Sequence, residues 1–549
     1  MDRRQSDEAV VIVDGELAAG EPGLQGGPPT QASAAAETRG RRVVGAGLWA
    51  TGSRLLPQFY SLLMSVVAAR FLGPDGMGRQ SLIAFAAIFG TTATALGMPA
   101  ALMRYVGQRV GAGESETLPD LIRVVWKIEA VAAVLGAIVL IGIGLHGAEP
   151  RAAWILAGLT CAFGVLQKVP TSVLVGLQRW GEASAVSMVM GAVATVATIG
   201  ALAAGGRVTA MIGVGTASTL VILVWTTVRM RSRLASLAQV PRRDPQLHRE
   251  VWRWAAIASL GVPITLIVWF RSEFFFLAHY ASNKEIALYS ISFSAYTALV
   301  IVPQSLGNAI APAFATLYGA GETERIRQGF GRAMRLLSIV TLPVAAAAMA
   351  LGPETLRVAY GSAYAGTKFP LLILLAMLPV VPLLQVSMSL IVALGRQWLP
   401  LAVGVLAAVA NLALDAFLIP RYDAVGAAAA NAIGQIVASA PMIAFAVYLA
   451  GGIRWEAAAL ARSVVAAAAS GLAALAIVHE VNGLAGIMCG VVAWGLAFGV
   501  LARVLRILPP PDAAWLDSVV GTRLRKLVRH VFGPAPAAIP VPGEGDSHV

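Results

Sequence analysis

Charge is scarce in this chain. Asp, Glu, Lys and Arg make up 13% of its 549 residues, against roughly 25% in soluble domains. Apolar residues make up 57%, and the mean hydropathy is +0.74. A soluble fold is excluded, because no single core could hide that much apolar surface. Cysteine is scarcer still. Cys161 and Cys489 both lie in apolar runs and can define neither a disulfide framework nor a four-ligand zinc site. The six histidines, at 146, 248, 279, 479, 530 and 548, have no metal-ligand spacing. No Gly-rich loop is followed by Lys-Ser/Thr, so an internal ATPase is excluded. No loop is long enough for a catalytic domain, and the sequence calls for neither an enzyme activity nor a cofactor.

What is present is a series of apolar runs of about 20 or more residues, the length a helix needs to cross ~30 Å of hydrocarbon. The short, alternating strands of an outer-membrane barrel are absent. The chain reads as an all-α polytopic membrane protein with about fourteen spans, near 43–69, 80–103, 124–145, 153–175, 183–203, 209–228, 254–278, 286–312, 336–351, 369–394, 399–419, 425–449, 463–478 and 484–502. Residues 1–42, polar and rich in Gly, Pro and Ala, read as a disordered cytoplasmic tail. Segments 43–230 and 254–450 read as six-span lobes joined by a basic cytoplasmic linker, 231–253. Spans thirteen and fourteen occupy 451–507, and 508–549 is a second cytoplasmic tail. With the N-terminus inside, Lys and Arg divide 29 inside to 8 outside, as the positive-inside rule requires. Both termini are thus expected in the cytoplasm, and the net charge of +12 reflects topology rather than a nucleic-acid partner.

The chain also repeats itself. Gly111-Ala-Gly-Glu114 follows span two and Gly319-Ala-Gly-Glu322 follows span eight, 208 positions later. Pro57 and Pro263 fall in the first span of each half, where they are expected to break the backbone ladder and permit bending. Six spans per unit makes the halves parallel repeats about an axis along the membrane normal.

Four cations, Arg54, Lys127, Lys168 and Arg271, fall inside spans, with three acids, Glu129, Glu273 and Asp415. A charge near the bilayer centre costs at least ~2.5–3.5 kcal/mol, so each should face the bundle interior or a watery cavity. For Lys127 and Lys168, snorkelling or internal pairing competes evenly with a functional role. Span one carries Gly47, Thr51, Arg54, Gln58, Ser61 and Ser65 at helical spacing, and span eight repeats the pattern with Ser290, Ser294, Thr297, Gln304 and Asn308. Arg, Gln and Asn are too large for a packing seam, and these two faces read as the walls of a wet cavity. The thinner version in span five (Ser184, Ser187, Gly191, Thr195, Thr198) reads as helix packing. Asn411 and Asp415, one turn apart in span eleven, are either an ion site or a packed hydrogen-bonding pair.

Two stretches carry a resemblance. Ala69-Arg-Phe-Leu-Gly-Pro-Asp-Gly-Met-Gly78, with the helix ending Leu96-Gly-Met-Pro-Ala-Ala-Leu-Met-Arg104, resembles the first hairpin of bacterial polysaccharide-biosynthesis flippases. These are the O-antigen and exopolysaccharide translocases of the multidrug/oligosaccharidyl-lipid/polysaccharide exporter superfamily. Leu394-Gly-Arg396, Asn411-Leu-Ala-Leu-Asp415-Ala-Phe-Leu-Ile-Pro420 and Gly426-Ala-Ala-Ala-Ala-Asn431 resemble that family's eleventh and twelfth spans. Glu285-Ile-Ala-Leu-Tyr-Ser290 is similar to the start of its eighth, and Glu273 stands where the family often has aspartate. The resemblance covers roughly 43–450. It implies two six-helix lobes in a V with alternating access, and a lipid-linked oligosaccharide moved from the inner to the outer leaflet of the inner membrane. It also implies membrane lipids, a polysaccharide polymerase and glycosyltransferases as partners, and ion coupling through Glu273.

On that reading Arg54, Arg271 and Lys168 would offset the cost of bringing the phosphates of an undecaprenyl-pyrophosphate headgroup into a low-dielectric cavity. Gln58, Ser61, Ser65, Gln304 and Asn308 would meet its sugars. Two readings within the superfamily compete: a peptidoglycan-precursor flippase, and a drug or metabolite antiporter, for which a net acidic cavity is the expectation. A membrane glycosyltransferase would need a sizeable outside loop with paired acids. The longest outside stretch, around 352–368, offers only Glu354.

Overall fold

In hydrocarbon a long apolar run has one stable form, the helix, which satisfies its own backbone groups. The computed structural model describes residues 31–95, 97–235, 243–259, 261–268, 272–396, 398–453, 456–510 and 512–513. Among these the architecture is helical, with no strand. Ten of the helices are long and apolar enough to cross a membrane, so the protein is a multi-pass, all-α membrane protein. Two of the ten each carry two of the fourteen expected spans, folded back at a single residue.

The first of these, α1 (Gln31–Ala95), turns at Gly73, where φ is 66° and ψ 177°, ahead of Pro74. Glycine reaches that conformation without a Cβ clash. The helix starts at Gln31, inside the stretch expected to be a disordered tail, because the run Ala34 to Ala36 is made of the best helix former. Pro57 does not interrupt it: the only non-helical residue is Gly73. The ladder instead breaks later in span two, at Gly97, and the chain resumes as α2 (Met98–Gly111) with Pro99 in its first turn.

The helices α3 (Leu118–Leu145), α4 (Arg151–Gly176), α5 (Trp180–Ala203) and α6 (Val208–Ala235) complete the first half, with α3 and α6 packed on α4 and α5 on α6. Gly191 of α5 lies where a Cβ would come within 2.9 Å of the Tyr60 ring, which accounts for the small-residue face of span five. The connecting helix α7 (Pro245–Ser259) buries Leu247, Val251 and Ala255, one per turn, and packs on α2. The Arg104 guanidinium covers the Trp254 ring at 5.6 Å.

Over span seven, expected at 254–278, the described residues include the end of α7, α8 (Gly261–Val268) and α9 (Glu273–Tyr280); residues 260 and 269–271 lie outside them. Next come α10 (Asn283–Gly319) and α11 (Thr323–Tyr360). Span ten is divided, into α12 (Lys368–Leu375) and α13 (Val380–Ala393). Between them, at Met377 and Leu378, amides reach back three residues instead of four, just ahead of Pro379 and Pro382, which cannot donate to the ladder. Spans eleven and twelve form α14 (Trp398–Leu449), turned at Asp423 (φ 47°). The last spans, α15 (Ala457–Glu480) and α16 (Gly483–Val504), pack on each other and on α11.

The internal repeat is visible in backbone geometry. Ala112 and Ala320 both sit at φ −81°, ψ −4°, and the glycines that follow them at φ 75° and 74°. Both turns close in the same way, with Glu114 N–H donating to Arg109 O and Glu322 N–H to Leu317 O, the six-to-one bond of a Schellman helix end.

The two ends of the bundle differ. At the end rich in basic residues, Arg109 pairs with Glu114 and Asp244, Arg233 with Glu182, and His248 with Asp120. The first residues of the expected tail 508–549 are docked there. Ile507 and Leu508 are buried, and Asp512 accepts from Arg332 Nε (3.2 Å) and from Arg335 Nε (2.9 Å) and Nη2 (3.0 Å). The halves touch at the basic-poor end. A Cβ on Gly78 would fall 1.8 Å from the carbonyl oxygen of Asn283, so two backbones touch where only glycine fits. Gly78→Ala is therefore expected to cost about 1–3 kcal/mol through overpacking, seen as a lower thermal unfolding midpoint of the purified protein. An unchanged midpoint would mean that the backbone at 283 yields freely.

Candidate functional site

Three features stand out: a closure and a cavity beneath it, both built from residues of the two halves, and a polar network inside the second half.

The closure lies at the basic-poor end. Arg70, in the last turn before the Gly73 turn, donates from Nε to Ala359 O (2.8 Å) and from Nη2 to Val358 O (2.5 Å). Those carbonyls belong to the last turn of α11, where a cation is favoured by the helix dipole and by carbonyls without helical partners. Tyr364 donates to Ala69 O at 2.9 Å, and the hydroxyls of Tyr360 and Ser65 are 3.1 Å apart. Beside them Phe85 stacks on Phe274 with centroids 4.8 Å apart, and Phe89 meets Phe275 edge-on at 4.8 Å. Counted by sequence only as an exterior charge, Arg70 is the bolt of this closure.

Beneath the closure is a cavity of about 410 Å³. Ser61 and Ser65 of span one, Gln80 and Ser81 of span two, and Ser290, Ser294 and Thr297 of span eight supply its polar wall. Met64, Met77, Phe85, Ile88, Met211 and Phe293 supply the apolar one. The structure thus brings the hydroxyl faces of spans one and eight to a single space. Gln80 and Ser81 were missed, although their adjacency to the Gly-rich turn was a usable signal. Gln58 and Gln304 are half-buried and lie outside this lining. Arg54, Arg271 and Asn308 lie outside the residues whose side chains are described.

Spans one and eight have a second, apolar face. Leu62, Val66, Ala295, Ala298 and Leu299 join Val344, Leu351 and Leu356 of α11 and Trp494 of α16 around a groove of about 520 Å³. Its walls are almost entirely aliphatic, and Leu299 and Val344 are exposed.

The polar network joins spans seven, eight, eleven and twelve. Tyr296 donates to Gln435 Oε1 (2.8 Å), Gln435 to Asn431 Oδ1 (2.6 Å), and Asn431 to Glu273 Oε1 (2.7 Å). Beside it Asn411 donates to Ser272 Oγ (3.0 Å) and to Asp415 Oδ2 (3.2 Å), and Ser272 donates to Asp415 Oδ2 (3.0 Å). Glu273 and Asp415 are fully buried and interact electrostatically. Among the described residues, Glu273 Oε2 and Asp415 Oδ1 have no hydrogen-bond partner. Burying carboxylates is costly unless they are hydrogen-bonded, and the carboxamides of Asn411 and Asn431 and the hydroxyl of Ser272 answer part of that cost. Asn411 and Asp415 do bond as a pair, as part of this wider set.

Lys168 is elsewhere. It is half-buried in the first half and donates to Thr91 O at 3.0 Å. Among the described residues no group of three or more His, Cys, Asp or Glu could hold a metal ion.

A family model described as MatE matches residues 258–417, the stretch that supplies Glu273 and Asp415. No curated protein matches the chain in sequence. Solved structures share its fold. The lipid II flippase MurJ, in an inward closed conformation, aligns at a TM-score of 0.65 and 12% identity over 83% of this chain and 98% of that one. An inward-facing multidrug resistance MATE family transporter of the MOP superfamily aligns at 0.59 and 15% over 72% and 94%. A MOP superfamily transporter from Pyrococcus furiosus, described as having a binding pocket of reverse polarity, aligns at 0.55 and 15% over 74% and 94%. The chain has the MurJ- and MATE-like transporter fold.

Removing the bolt should open the closure. Arg70→Ala loses two charge-assisted bonds, together roughly 2 kcal/mol, or roughly a tenfold change or more in the closed population. With Cys489→Ser and a reporter Ser61→Cys, labelling by a membrane-impermeant maleimide from the basic-poor side is expected to rise about tenfold. Equal labelling with and without Arg70 would assign the closure to the aromatic contacts alone.

Proposed function

We propose that the protein is a flippase for an anionic lipid-linked oligosaccharide of the undecaprenyl-pyrophosphate type, working by alternating access in the inner membrane. The observation that carries this reading is the two-faced character of spans one and eight. One face of each lines a cavity of hydroxyl and amide groups, and the other lines an aliphatic groove. A glycan needs the first and a polyprenyl chain the second. A water-soluble cargo would have no use for the groove. Arg54 and Arg271 are the cations proposed to meet the phosphates, since in-membrane arginine is costly without such a role.

The basic-rich end is taken as cytoplasmic from the 29:8 division of Lys and Arg. This form, closed at the basic-poor end, then faces inward and is ready to receive cargo on the side where it is made. We assign the coupling cation, a proton or a sodium ion, to Glu273 and Asp415 with Asn411. The likeness to MurJ supports a lipid-linked cargo and the likeness to MATE transporters supports ion coupling. A peptidoglycan precursor shares the chemistry argued above and is the second reading within this class.

Arg54→Ala and Arg271→Ala are each expected to abolish export of surface glycan, with lipid-linked repeat units accumulating inside, while the protein stays in the membrane. Normal export by both variants would remove the cationic headgroup site. If cells lacking the protein accumulate peptidoglycan precursor instead, the second reading replaces the first.

A further inference from the structure

The basic-poor end carries few cations, as the positive-inside rule requires, and two of them, Arg357 and Lys368, line one cavity. Only the first has an acid partner. Arg357, in the last turn of α11, donates to both oxygens of Glu354 (2.6 and 2.7 Å) and to Asn482 Oδ1 (3.3 Å). Glu354 also accepts from the amide of Gly483 at 2.9 Å. This cluster fastens the turn between α15 and α16 to the end of α11. Lys368, the first residue of α12, is exposed and makes no ion pair among the described residues. Its ammonium lies 5.9 Å from the centre of the Phe369 ring. His479, exposed in the last turn of α15, lines the same cavity.

The polar groups occupy one end of that cavity, whose volume is about 770 Å³. The rest of its wall is apolar: Met349 and Ala350 of α11, Leu372 of α12, and Leu472, Leu475 and Val478 of α15. Gly471 and Ala346 close it, for a Cβ on Gly471 would lie 3.0 Å from Ala346 Cβ. From Gly471 to His479 the wall runs eight positions along α15, roughly 12 Å. That is close to one leaflet's share of the ~30 Å hydrocarbon layer. Leu472 and Leu475 are exposed, so the chain itself leaves this wall uncovered. A free anion would use the mouth and leave the wall bare. An apolar molecule would cover the wall and leave Lys368 unanswered. A phosphate carried on acyl chains meets both.

We propose that this wedge between α11, α12 and α15 binds an anionic phospholipid of the leaflet at the basic-poor end. Lys368 makes a charge-assisted contact with the phosphodiester, with His479 and the amide NH2 of Asn482 as further donors. An acyl chain lies along Leu472, Leu475 and Met349. The wedge shares no lining residue with the cavity beneath the closure or with the aliphatic groove of spans one and eight. The site is therefore separate from the route proposed for the cargo, and it stands whichever cargo is moved.

The test measures lipid preference in vesicles with the full chain. A bimane label at Ala476→Cys, an exposed position of α15 outside the lining, is combined with Cys489→Ser, while Cys161 stays buried and unlabelled. Quenching by phosphatidylglycerol with brominated chains is compared with quenching by phosphatidylcholine brominated in the same way. Phosphatidylglycerol is expected to be preferred about fivefold, the discrimination that one basic side chain gives at an anionic lipid surface. Lys368→Gln with His479→Gln should bring the two lipids level. Lys284→Gln, which removes a cation of the same end outside the wedge, should leave the preference intact. Equal quenching by both lipids in the wild-type background, or a preference that survives the double substitution, overturns the proposal. If the double variant fails to fold, an undiminished preference in Lys368→Gln alone overturns it instead. Inorganic phosphate replacing chloride at equal ionic strength should leave the preference in place; its loss would make this a free-anion site and overturn the lipid assignment. Displacement of phosphatidylglycerol by undecaprenyl phosphate at a lower mole fraction than by unbrominated phosphatidylglycerol would give the wedge to the cargo and also overturn it.

Discussion

Where a helix stops, its last carbonyls and first amides lose their partners in the ladder. The most informative contacts in this protein answer that constraint. Arg70 takes the carbonyls of residues 358 and 359 at the end of α11. The hydroxyl of Ser259 accepts from the amide of Gly97, just ahead of α2. Each pair joins different spans. A helix end that must find its partner on a moving neighbour has its hydrogen bonding tied to the conformation of the whole. A transporter can use that link without stretching any single helix.

The same frame carries unequal chemistry in its two halves. The turns at 112–114 and 320–322 agree to within a degree or so in backbone angles, yet the buried acids have no such correspondence. One half has Glu129, buried with no hydrogen-bond partner among the described residues. The other has Glu273 and Asp415 facing amides and a hydroxyl. Duplication of the turns has therefore not meant duplication of the buried acids.

Periodic features were legible in the amino-acid order: the spans, the repeat, the hydroxyl faces of spans one and eight, and the three acids worth watching. The breaks were not. Leu375-Ala-Met-Leu-Pro-Val-Val-Pro is apolar throughout, so hydropathy runs smoothly over a place where the helix stops and restarts. Pro57 sent the opposite false signal, because a helix packed along its length tolerates one missing amide bond. Arg70 was invisible for a different reason. Its partners lie 288 and 289 positions away, and nothing local marks a charge at a loop as the cap of a distant helix. Asp512 is the same case, in a segment whose composition reads as a tail but whose carboxylate is held by two arginines of α11.

On the proposed flippase reading, the groove on the outer faces of spans one and eight has a consequence for kinetics. A cargo whose chain lies there never leaves the lipid phase, so capture is a search in two dimensions. The quantity that sets its rate is cargo per unit area of leaflet, independent of the volume of the cell. Most of the chain's contacts are then lipid-like before and after binding, and lengthening it adds almost nothing to affinity. Selectivity must come from the few hydroxyls of the cavity, where a change of one sugar would be felt and a change of one isoprene unit would not.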